Sequence, residues 1–241
     1  MGEARLRKED ARFIQGKGNY VDDIKLPGMV HMDIVRASVA HARIKRINKE
    51  AALKIPGVIA VLTADDLKPL KLHWMPTLAG DVQAVLADEK VHFQMQEVAV
   101  VIAEDRYSAA DGVEAVEVEY EELEAVVDPF EALKPGAPVL REDLAGKTEG
   151  AHGKRYHHNH IFTWEAGDKA ATDAVFAGAA VTVSQDMHYP RVHPCPLETC
   201  GAVASFDPIR GELTTYLTSQ APHIVRTVVS MLSGIPESKV R

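Results

Sequence analysis

One short stretch in the second half of the chain concentrates side chains that can bind a metal or a proton. Cys195 and Cys200 stand close together, with His193 before them and Glu198 between them. Zinc takes thiolate, imidazole and carboxylate ligands, so the set is compatible with a zinc site. Two prolines in the stretch fix an extended backbone, which spreads these side chains rather than bringing them together. Glu198 is then either a polar group held for a site or an ion-pair or turn contact, and the spacing favours the second interpretation.

Four histidines form a second cluster. They are His152, His157, His158 and His160. Imidazole is a common ligand of transition metals. Neighbouring side chains on a strand point to opposite faces, however, and no cysteine or carboxylate nearby completes a ligand set. The cluster favours solvated or backbone-bonded histidines over a metal site.

A third candidate lies where a strand gives way to a helix, at Ser219 and Gln220. The first N–H groups of a helix have no partner within the helix, and its positive end attracts negative charge. A glutamine there offers both a donor and an acceptor, which suits an oxo or carbonyl oxygen. The alternative is that both residues only cap the helix. No glycine pattern of a nucleotide-binding loop precedes this helix.

The elements that position these residues can be read from hydrophobic periodicity. The spacing predicts strands over residues 29–36, 58–62, 97–103 and 116–120. Short helices are predicted over residues 51–53, 63–66 and 108–116, the last two opened by capping-box spacing from Thr63 to Asp66 and from Ser108 to Asp111. Two successive β-α-β units of this kind predict a compact α+β domain that ends near Asp128.

After residue 128, a connector rich in glycine and proline over residues 129–153 is followed by the pattern of a second domain. Strands are predicted over residues 159–164, 180–187, 201–206 and 212–218, the last two joined by a hairpin turn. A helix is predicted over residues 222–232, and a new strand begins near residue 239. The second domain is started and not closed, so the sequence is expected to be a fragment.

Composition narrows the class of protein. The chain has 241 residues, 46% of them hydrophobic, and a formal net charge of -8. Acidic residues outnumber basic ones, and the basic residues form no cluster that could neutralise phosphates, which argues against nucleic-acid binding. No apolar run approaches the roughly 20 residues that cross a bilayer. Two cysteines are too few for a disulfide framework, which indicates a reducing, cytoplasmic setting.

Several stretches together resemble one known family. Residues 16–23 read Gly-Lys-Gly-Asn-Tyr-Val-Asp-Asp, and residues 41–44, 72–80, 193–200 and 219–223 add further matches. From about Arg5 to Arg241 the chain is similar to the amino-terminal part of the molybdenum-binding large subunits of the xanthine oxidase family. Residues 74–80, 91–94 and 157–160 look like the aerobic carbon monoxide dehydrogenase type rather than the aldehyde or purine enzymes.

The resemblance implies an α+β fold, with an α/β hammerhead domain followed by the incomplete start of a molybdopterin-binding α+β domain. The expected boundaries are a lead-in over residues 1–15, the hammerhead over 16–128, a connector over 129–153 and the molybdopterin-binding part over 154–241. Family subunits continue for several hundred residues more.

The implied activity is oxidation of CO with water to CO2. The implied cofactors are molybdenum carried by molybdopterin cytosine dinucleotide and a copper ion bridged to it through sulfur. Electrons would leave through 2Fe-2S clusters on a small partner subunit and FAD on a medium one, in a dimer of three-subunit units. The expected location is the cytoplasm, with the inner face of the membrane as a further expectation for the complex.

By position, Gln220 matches the family glutamine that hydrogen-bonds a molybdenum oxo ligand, so it is the expected catalytic and cofactor-binding residue. His193 and Glu198 are expected to orient the Gln220 region, and Cys195 and Cys200 to be packed thiols. The chain itself is expected to supply no metal ligand. The glycine-rich cofactor segment, the copper-binding cysteine loop and the base glutamate of the family would lie beyond Arg241, so the isolated chain is expected to be inactive.

Two other functions stay open. The first keeps the family and changes the substrate to an aldehyde or an aromatic heterocycle, and the copper-binding cysteine loop discriminates it because copper needs a thiolate ligand. The second is a non-catalytic adaptor or assembly module that retains the hammerhead and holds no cofactor.

Overall fold

A computed structural model describes residues 5–70, 73–74, 83–142, 149–150, 153–154, 157–161, 163–196 and 198–241. The chain divides into two compact units. The first comprises Met1–Pro76, Val82–Ala125 and Glu198–Arg241, and the second comprises Thr77–Asp81 and Val126–Leu197. In sequence, the second unit is therefore largely an insertion into the first.

Strands and helices are mostly short. The strands are β1 (His31–Arg36), β2 (Ala42–Asn48), β3 (Val58–Thr63), β4 (His73–Trp74), β5 (Gln83–Ala84), β6 (Lys90–Val91), β7 (Glu97–Ala103), β8 (Glu117–Glu122), β9 (Glu149–Gly150), β10 (Gly153–Lys154), β11 (Ala202–Asp207) and β12 (Glu212–Leu217). The helices are α1 (Asp10–Phe13), α2 (Ala64–Leu67), α3 (Arg106–Ala115), α4 (Lys169–Ala177) and α5 (Pro222–Ser233). Helices and antiparallel strands make the fold α+β, as predicted.

An antiparallel sheet in the order β1–β7–β3 carries the main core of the first unit. β7 is its central strand, and its almost continuous apolar sequence is typical of a strand covered on both faces. Val98, Ala99, Val101 and Ala103 in this strand are fully buried. The predicted strand over residues 97–103 is confirmed.

Helix α3 packs on this sheet through a glycine. A Cβ atom on Gly112 would lie only 2.6 Å from Cγ1 of Val101, so the absence of a side chain there allows the close approach. The helix begins after Asp105, whose Oδ1 accepts the N–H groups of Tyr107 at 2.8 Å and Ser108 at 3.0 Å. The predicted start at Ser108 is therefore wrong, because the aspartate three residues earlier caps the helix. The capping box from Thr63 to Asp66 is confirmed at α2.

The second sheet of the first unit has the order β6–β2–β8. β2 was not predicted from the sequence, since it reads Ala-Arg-Ile-Lys-Arg-Ile-Asn and carries three basic residues among its seven. Acidic β8 lies beside it, and Lys45 forms an ion pair with Glu121 at 3.1 Å. Opposite charges across the two strands stabilise the pairing on the exposed face.

The predicted hairpin and helix are both present, but they belong to the first unit, whereas the sequence predicted them as part of the second domain. β11 pairs with β12 in antiparallel register from Ala202–Leu217 to Asp207–Glu212. In the turn, Asp207 accepts the N–H groups of Ile209 and Arg210. α5 ends at Gly234, which adopts a left-handed φ of 72°. After it, Val240 forms a parallel bridge to Leu213 beside β12, in agreement with the strand predicted near residue 239.

The second unit has little regular structure. Asn159 holds its loops together, since its Nδ2 donates to the carbonyls of Ala132 at 2.9 Å and Pro138 at 2.8 Å while its Oδ1 accepts from Leu140 N. The strands predicted over residues 159–164 and 180–187 are wrong for the described residues there, which form no strand. An unpaired segment has no ladder to hold it extended. Among the described residues, no helix is both long and apolar enough to span a bilayer.

Candidate functional site

The open end of the β11–β12 hairpin brings two of the predicted site residues to one place. Beyond the last strand pair, Thr218 N donates to the carbonyl of Gly201 at 3.2 Å, and the Thr218 hydroxyl lies 3.5 Å from the carbonyl of Thr199. These bonds extend the hairpin past its strands. The segment that carries Glu198 and the segment that carries Gln220 therefore leave the same end of the hairpin.

Gln220 occupies the junction between β12 and α5, where the sequence predicts it. Its side chain is exposed, and none of the residues that the structure describes hydrogen-bonds it. Ser219 makes the local turn contact instead, because its Oγ accepts the N–H of Ala221 at 3.0 Å. Within the described part of the chain, no side chain caps the start of the helix. The Gln220 amide is thus available to a group outside the described residues.

The first turn of α5 supplies further donors beside Gln220. Pro222 opens the helix and has no N–H, while Val225 N already donates to the carbonyl of Ala221. The N–H groups of His223 and Ile224 are therefore the ones left without an acceptor in the helix. An amide donor and two backbone donors near a helix N-terminus are suited to a negatively charged oxygen.

Glu198 connects the open end of the hairpin to the amino-terminal motif, residues 16–23. It is half-buried, and its Oε1 accepts the N–H of Val21 at 3.0 Å. Val21 opens the 3-10 turn Val21–Asp23, and a Cβ atom on Gly201 would lie 3.6 Å from Val21 Cγ1. Glu198 therefore makes a contact to a turn, of the kind that its spacing favoured.

An ion pair anchors the other side of the same motif. Arg106, the first residue of α3, donates to Asp22 through two nitrogens, with Nη2 2.9 Å from Oδ1 and Nη1 3.3 Å from Oδ2. The hydrogen bonds and charge of Arg106 hold the pKa of Asp22 below its usual value. The role of Arg106 was not predicted from the sequence, because 84 residues separate it from its partner.

A carboxylate that follows helix α5 in sequence contacts the middle of the helix. Glu237 Oε1 accepts from the Thr227 hydroxyl and from Arg226 Nε, both at 3.0 Å. The hydrogen bond from Thr227 and then that from Arg226 lower the pKa of Glu237. These contacts fix the direction of the helix whose first turn follows Gln220.

Of the other predicted residues, His193 and Cys195 belong to the second unit, and Cys200 belongs to the first, next to Gly201 at the open end of the hairpin. His193 is exposed and lies among residues 181–196 of the second unit, which contain no helix or strand. Cys195 and Cys200 are both exposed, so the expectation of packed thiols is wrong. Residues 75–80 and His152 fall outside the described residues.

The described side chains do not converge on a metal site. Among them, no group of three or more His, Cys, Asp and Glu residues is arranged to hold a metal ion. The rings of His157 and His158 pack edge to face with centroids 5.7 Å apart, and Nε2 of buried His160 lies 3.0 Å from the Thr163 hydroxyl. Among the described residues, these histidines therefore contact one another and a neighbouring hydroxyl and do not form a ligand set.

Two family models match the chain. Residues 15–124 match the α/β hammerhead domain of aldehyde oxidase and xanthine dehydrogenase, and residues 152–241 match the molybdopterin cofactor-binding domain. Together they account for most of the chain. They confirm the predicted order of a hammerhead domain followed by a molybdopterin-binding domain.

Individual proteins are similar over nearly the whole chain. The carbon monoxide dehydrogenase large chain of Hydrogenophaga pseudoflava is 84% identical over 97% of this chain and 29% of its own length. The nicotine 6-hydroxylase large subunit of Paenarthrobacter nicotinovorans is 31% identical over 99% of this chain and 28% of its own. A solved structure of reconstituted CO dehydrogenase from Oligotropha carboxidovorans is 67% identical, with a TM-score of 0.89 over 100% of this chain and 30% of that one. The chain thus spans about 30% of the length of such relatives.

Proposed function

Since the chain belongs to the aldehyde oxidase and xanthine dehydrogenase family, we propose that it forms part of the molybdenum-binding large subunit of an aerobic carbon monoxide dehydrogenase. The reaction is oxidation of CO with water to CO2, with release of two electrons and two protons. The observation that carries this proposal is the gap in identity between the relatives. The sequence identity to this chain is 84% for a carbon monoxide dehydrogenase large chain but only 31% for a nicotine 6-hydroxylase large subunit.

Gln220 is the residue of this chain that we assign to the reaction. Its exposed amide at the β12–α5 junction can donate a hydrogen bond to an oxygen that gains negative charge during turnover. When bound, a molybdenum cofactor supplies the two-electron acceptor and the oxygen that is transferred. With such a cofactor in place, the Gln220 amide would donate a hydrogen bond to an oxygen ligand of the metal, and the N–H groups of His223 and Ile224 would add positive potential beside it.

Glu198 keeps the Gln220 region in place through the hairpin. Its bond to Val21 fixes one segment at the open end, and Thr218 links that segment to the other. We assign Glu198 a positioning role rather than a catalytic one, since its described partner is a backbone N–H. His193 is proposed as a second positioning residue on the strength of the family resemblance alone.

The proposal extends to cofactors and partners. The cofactors are molybdenum with molybdopterin cytosine dinucleotide, and copper held by a cysteine outside this chain. A small iron–sulfur subunit and a medium FAD subunit accept the electrons, in a dimer of heterotrimers located in the cytoplasm. The domain boundaries at residues 16, 128 and 154 belong to the same proposal.

The test uses the intact large subunit that carries these 241 residues, purified with its partner subunits. CO-dependent reduction of a dye, together with molybdenum and copper in the purified complex, supports the proposal. Turnover of an aldehyde or heterocycle without copper favours the alternative within the family. A complex without molybdenum favours an adaptor.

The role of Gln220 has a test of its own in the same complex. Gln220→Ala removes the amide, and Gln220→Glu keeps its length while replacing donors with acceptors. Both variants should lower kcat and change the molybdenum EPR signal while the metal content stays constant. Unchanged turnover together with an unchanged signal would remove Gln220 from the site.

A further inference from the structure

Helix α3 begins with a cation, which local rules disfavour. Arg106 is the first residue of the helix, where the positive end of the helix dipole repels positive charge. The residue before it, Asp105, is of the type preferred at this end and caps the helix. A residue that breaks a local preference is expected to have its reason elsewhere in the fold. For Arg106 the reason is Asp22, which it binds through two nitrogens.

The start of α3 is fixed on the β1–β7–β3 sheet. Just before the helix, Glu104 N donates to the carbonyl of Gly57 at 2.9 Å. A Cβ atom on Gly57 would lie 2.6 Å from Oγ of Ser108, so the first turn of the helix packs closely on the turn that precedes β3. The backbone of Arg106 is therefore held in place, and its guanidinium can hold Asp22 in one position.

The turn that contains Asp22 contacts the segment that enters the β11–β12 hairpin at two points. Val21, its first residue, donates its N–H to Glu198 Oε1 at 3.0 Å. A Cβ atom on Gly201 would lie 3.6 Å from Val21 Cγ1. The ion pair of Arg106 thus holds the turn from one side, and the open end of the hairpin contacts it from the other.

We propose that Arg106 is a positioning residue for Gln220, which it controls by holding Asp22 and the turn against the open end of the hairpin. This inference rests on the proposed function. Thr218 completes the set of contacts, because its N–H donates to the carbonyl of Gly201 two residues before Gln220. All of these residues belong to the first unit. Since a hydrogen bond weakens steeply when its geometry is disturbed, a loosened turn would weaken the bond that Gln220 gives to an oxygen of the cofactor.

Exposure of the ion pair limits the size of the expected effect. The side chains of Arg106 and Asp22 are 49% and 79% exposed. An exposed ion pair shifts an equilibrium by about fivefold at most. In Arg106→Ala, exchange of the Val21 amide should therefore become about fivefold faster, and kcat should fall by about threefold. KM for CO should stay constant, because Gln220 acts on an oxygen of the cofactor and not on CO.

A charge swap in the intact large subunit, purified with its partner subunits, tests the pair directly. Asp22→Arg places two cations together and should accelerate exchange at Val21 and change the molybdenum EPR signal. Adding Arg106→Asp restores an ion pair of opposite polarity and should return both readouts towards those of the parent, since aspartate is favourable at a helix N-terminus. A swapped variant no better than Asp22→Arg would overturn the proposal. So would a lower urea midpoint with unchanged kcat and EPR signal, because the pair would then be merely structural.

Arg36→Ala is the matched control. Arg36 also forms a long-range ion pair in the first unit, with Glu97 at 2.6 Å, and its other described partner is the carbonyl of Met95. This variant should leave exchange at Val21, kcat and the EPR signal unchanged. Effects as large as those of Arg106→Ala would point to a general loss of stability and would contradict the positioning role.

A combination with Glu198→Ala tests whether the contacts act in series. If Arg106 acts through the turn that Glu198 binds, the double variant should lower kcat no further than Glu198→Ala alone. Effects that multiply would show two independent routes and would overturn the proposal.

Activity and exchange keep the two proposals apart. If the complex oxidises CO but Arg106→Ala changes neither exchange at Val21 nor kcat, the positioning role is wrong and the function stands. If the charge swap restores exchange and the EPR signal in a complex that does not oxidise CO, the positioning role stands and the proposed substrate is wrong.

Discussion

Replacing Glu198 by alanine removes the hydrogen bond that ties the amino-terminal turn to the open end of the hairpin. The bond joins Val21 N to Glu198 Oε1 at 3.0 Å, between residues 177 positions apart in sequence. Both residues are half-buried. The substitution therefore tests whether a single carboxylate holds two distant parts of the first unit together.

The expected magnitude follows from the partners. A hydrogen bond to a charged group contributes about 1.5–3 kcal/mol, and partial exposure places this one near the lower end. Since 1.4 kcal/mol corresponds to about a tenfold change in an equilibrium constant, the Val21 amide should become available for exchange about tenfold more often. Glu198→Gln keeps a neutral acceptor and should show an effect about half as large in free energy.

Hydrogen exchange followed by NMR measures this effect at the amide concerned. Asp23 provides an internal reference, because its N–H donates to the carbonyl of Tyr20 within the turn itself and does not depend on Glu198. Glu50→Ala is the matched control, since Glu50 is exposed and its side chain makes no hydrogen bond to any described residue. The Asp23 amide and the control variant should both remain unchanged.

Two results would refute this reasoning. An unchanged exchange rate at Val21 would mean that the bond contributes nothing to the closed state. Equal acceleration at Val21 and Asp23 would mean that the whole turn unfolds, so that Glu198 acts on the segment and not through one bond.

Other substitutions test the remaining contacts. Gly112→Ala should destabilise the chain in urea unfolding, since overpacking against Val101 costs about 1–3 kcal/mol and exceeds the gain of about 1 kcal/mol in helix propensity; a more stable variant would show that α3 can move away from the sheet. Asp105→Ala should lower the unfolding midpoint by removing the cap of α3. Hydrogen bonds from Ser108 and Tyr107 hold the pKa of Asp105 below its usual value, so this stabilisation is present above the unfolded pKa of about 4 and is lost as the pH falls through the folded value. The difference between Asp105→Ala and the parent should therefore shrink in acid, and a constant difference would contradict the capping role. Finally, the 241-residue chain alone should reduce no dye with CO, and measurable turnover would place the whole catalytic machinery within it.

The fold was predicted best where one face of a strand is buried and its pattern is regular. β7 and the β11–β12 hairpin follow their sequence periodicity closely. β2 was not predicted, because basic side chains interrupt the alternation of apolar and polar residues in it. The acidic partner of Lys45 lies 76 residues further along the chain. Strand identity there depends on a neighbour that local sequence does not reveal.

The opposite error occurred at residues 180–187. Their alternation is real, but a strand needs a hydrogen-bonded neighbour, and the described part of the chain provides none.

The site was predictable in part. The position of Gln220 between a strand and a helix follows from local signals, and the structure has both elements where they were expected. The contact of Glu198 with Val21 could not be read from spacing, because a backbone N–H has no sequence signature. The link between Arg106 and Asp22 was hidden for a related reason, since either residue alone is an ordinary surface charge.

The order in which the chain is made gives the divided first unit a kinetic consequence. The unit closes through contacts to residues 198–241, yet about 70 residues of the second unit are synthesised in between. At 5–20 residues per second, the ribosome needs roughly 4–14 s to produce them. During that interval Val21 has no Glu198 to bind, whereas the strands of the two sheets β1–β7–β3 and β6–β2–β8 already have all their partners. The turn at Val21 should therefore be the last part of the amino-terminal half to become protected, once residue 198 has left the exit tunnel.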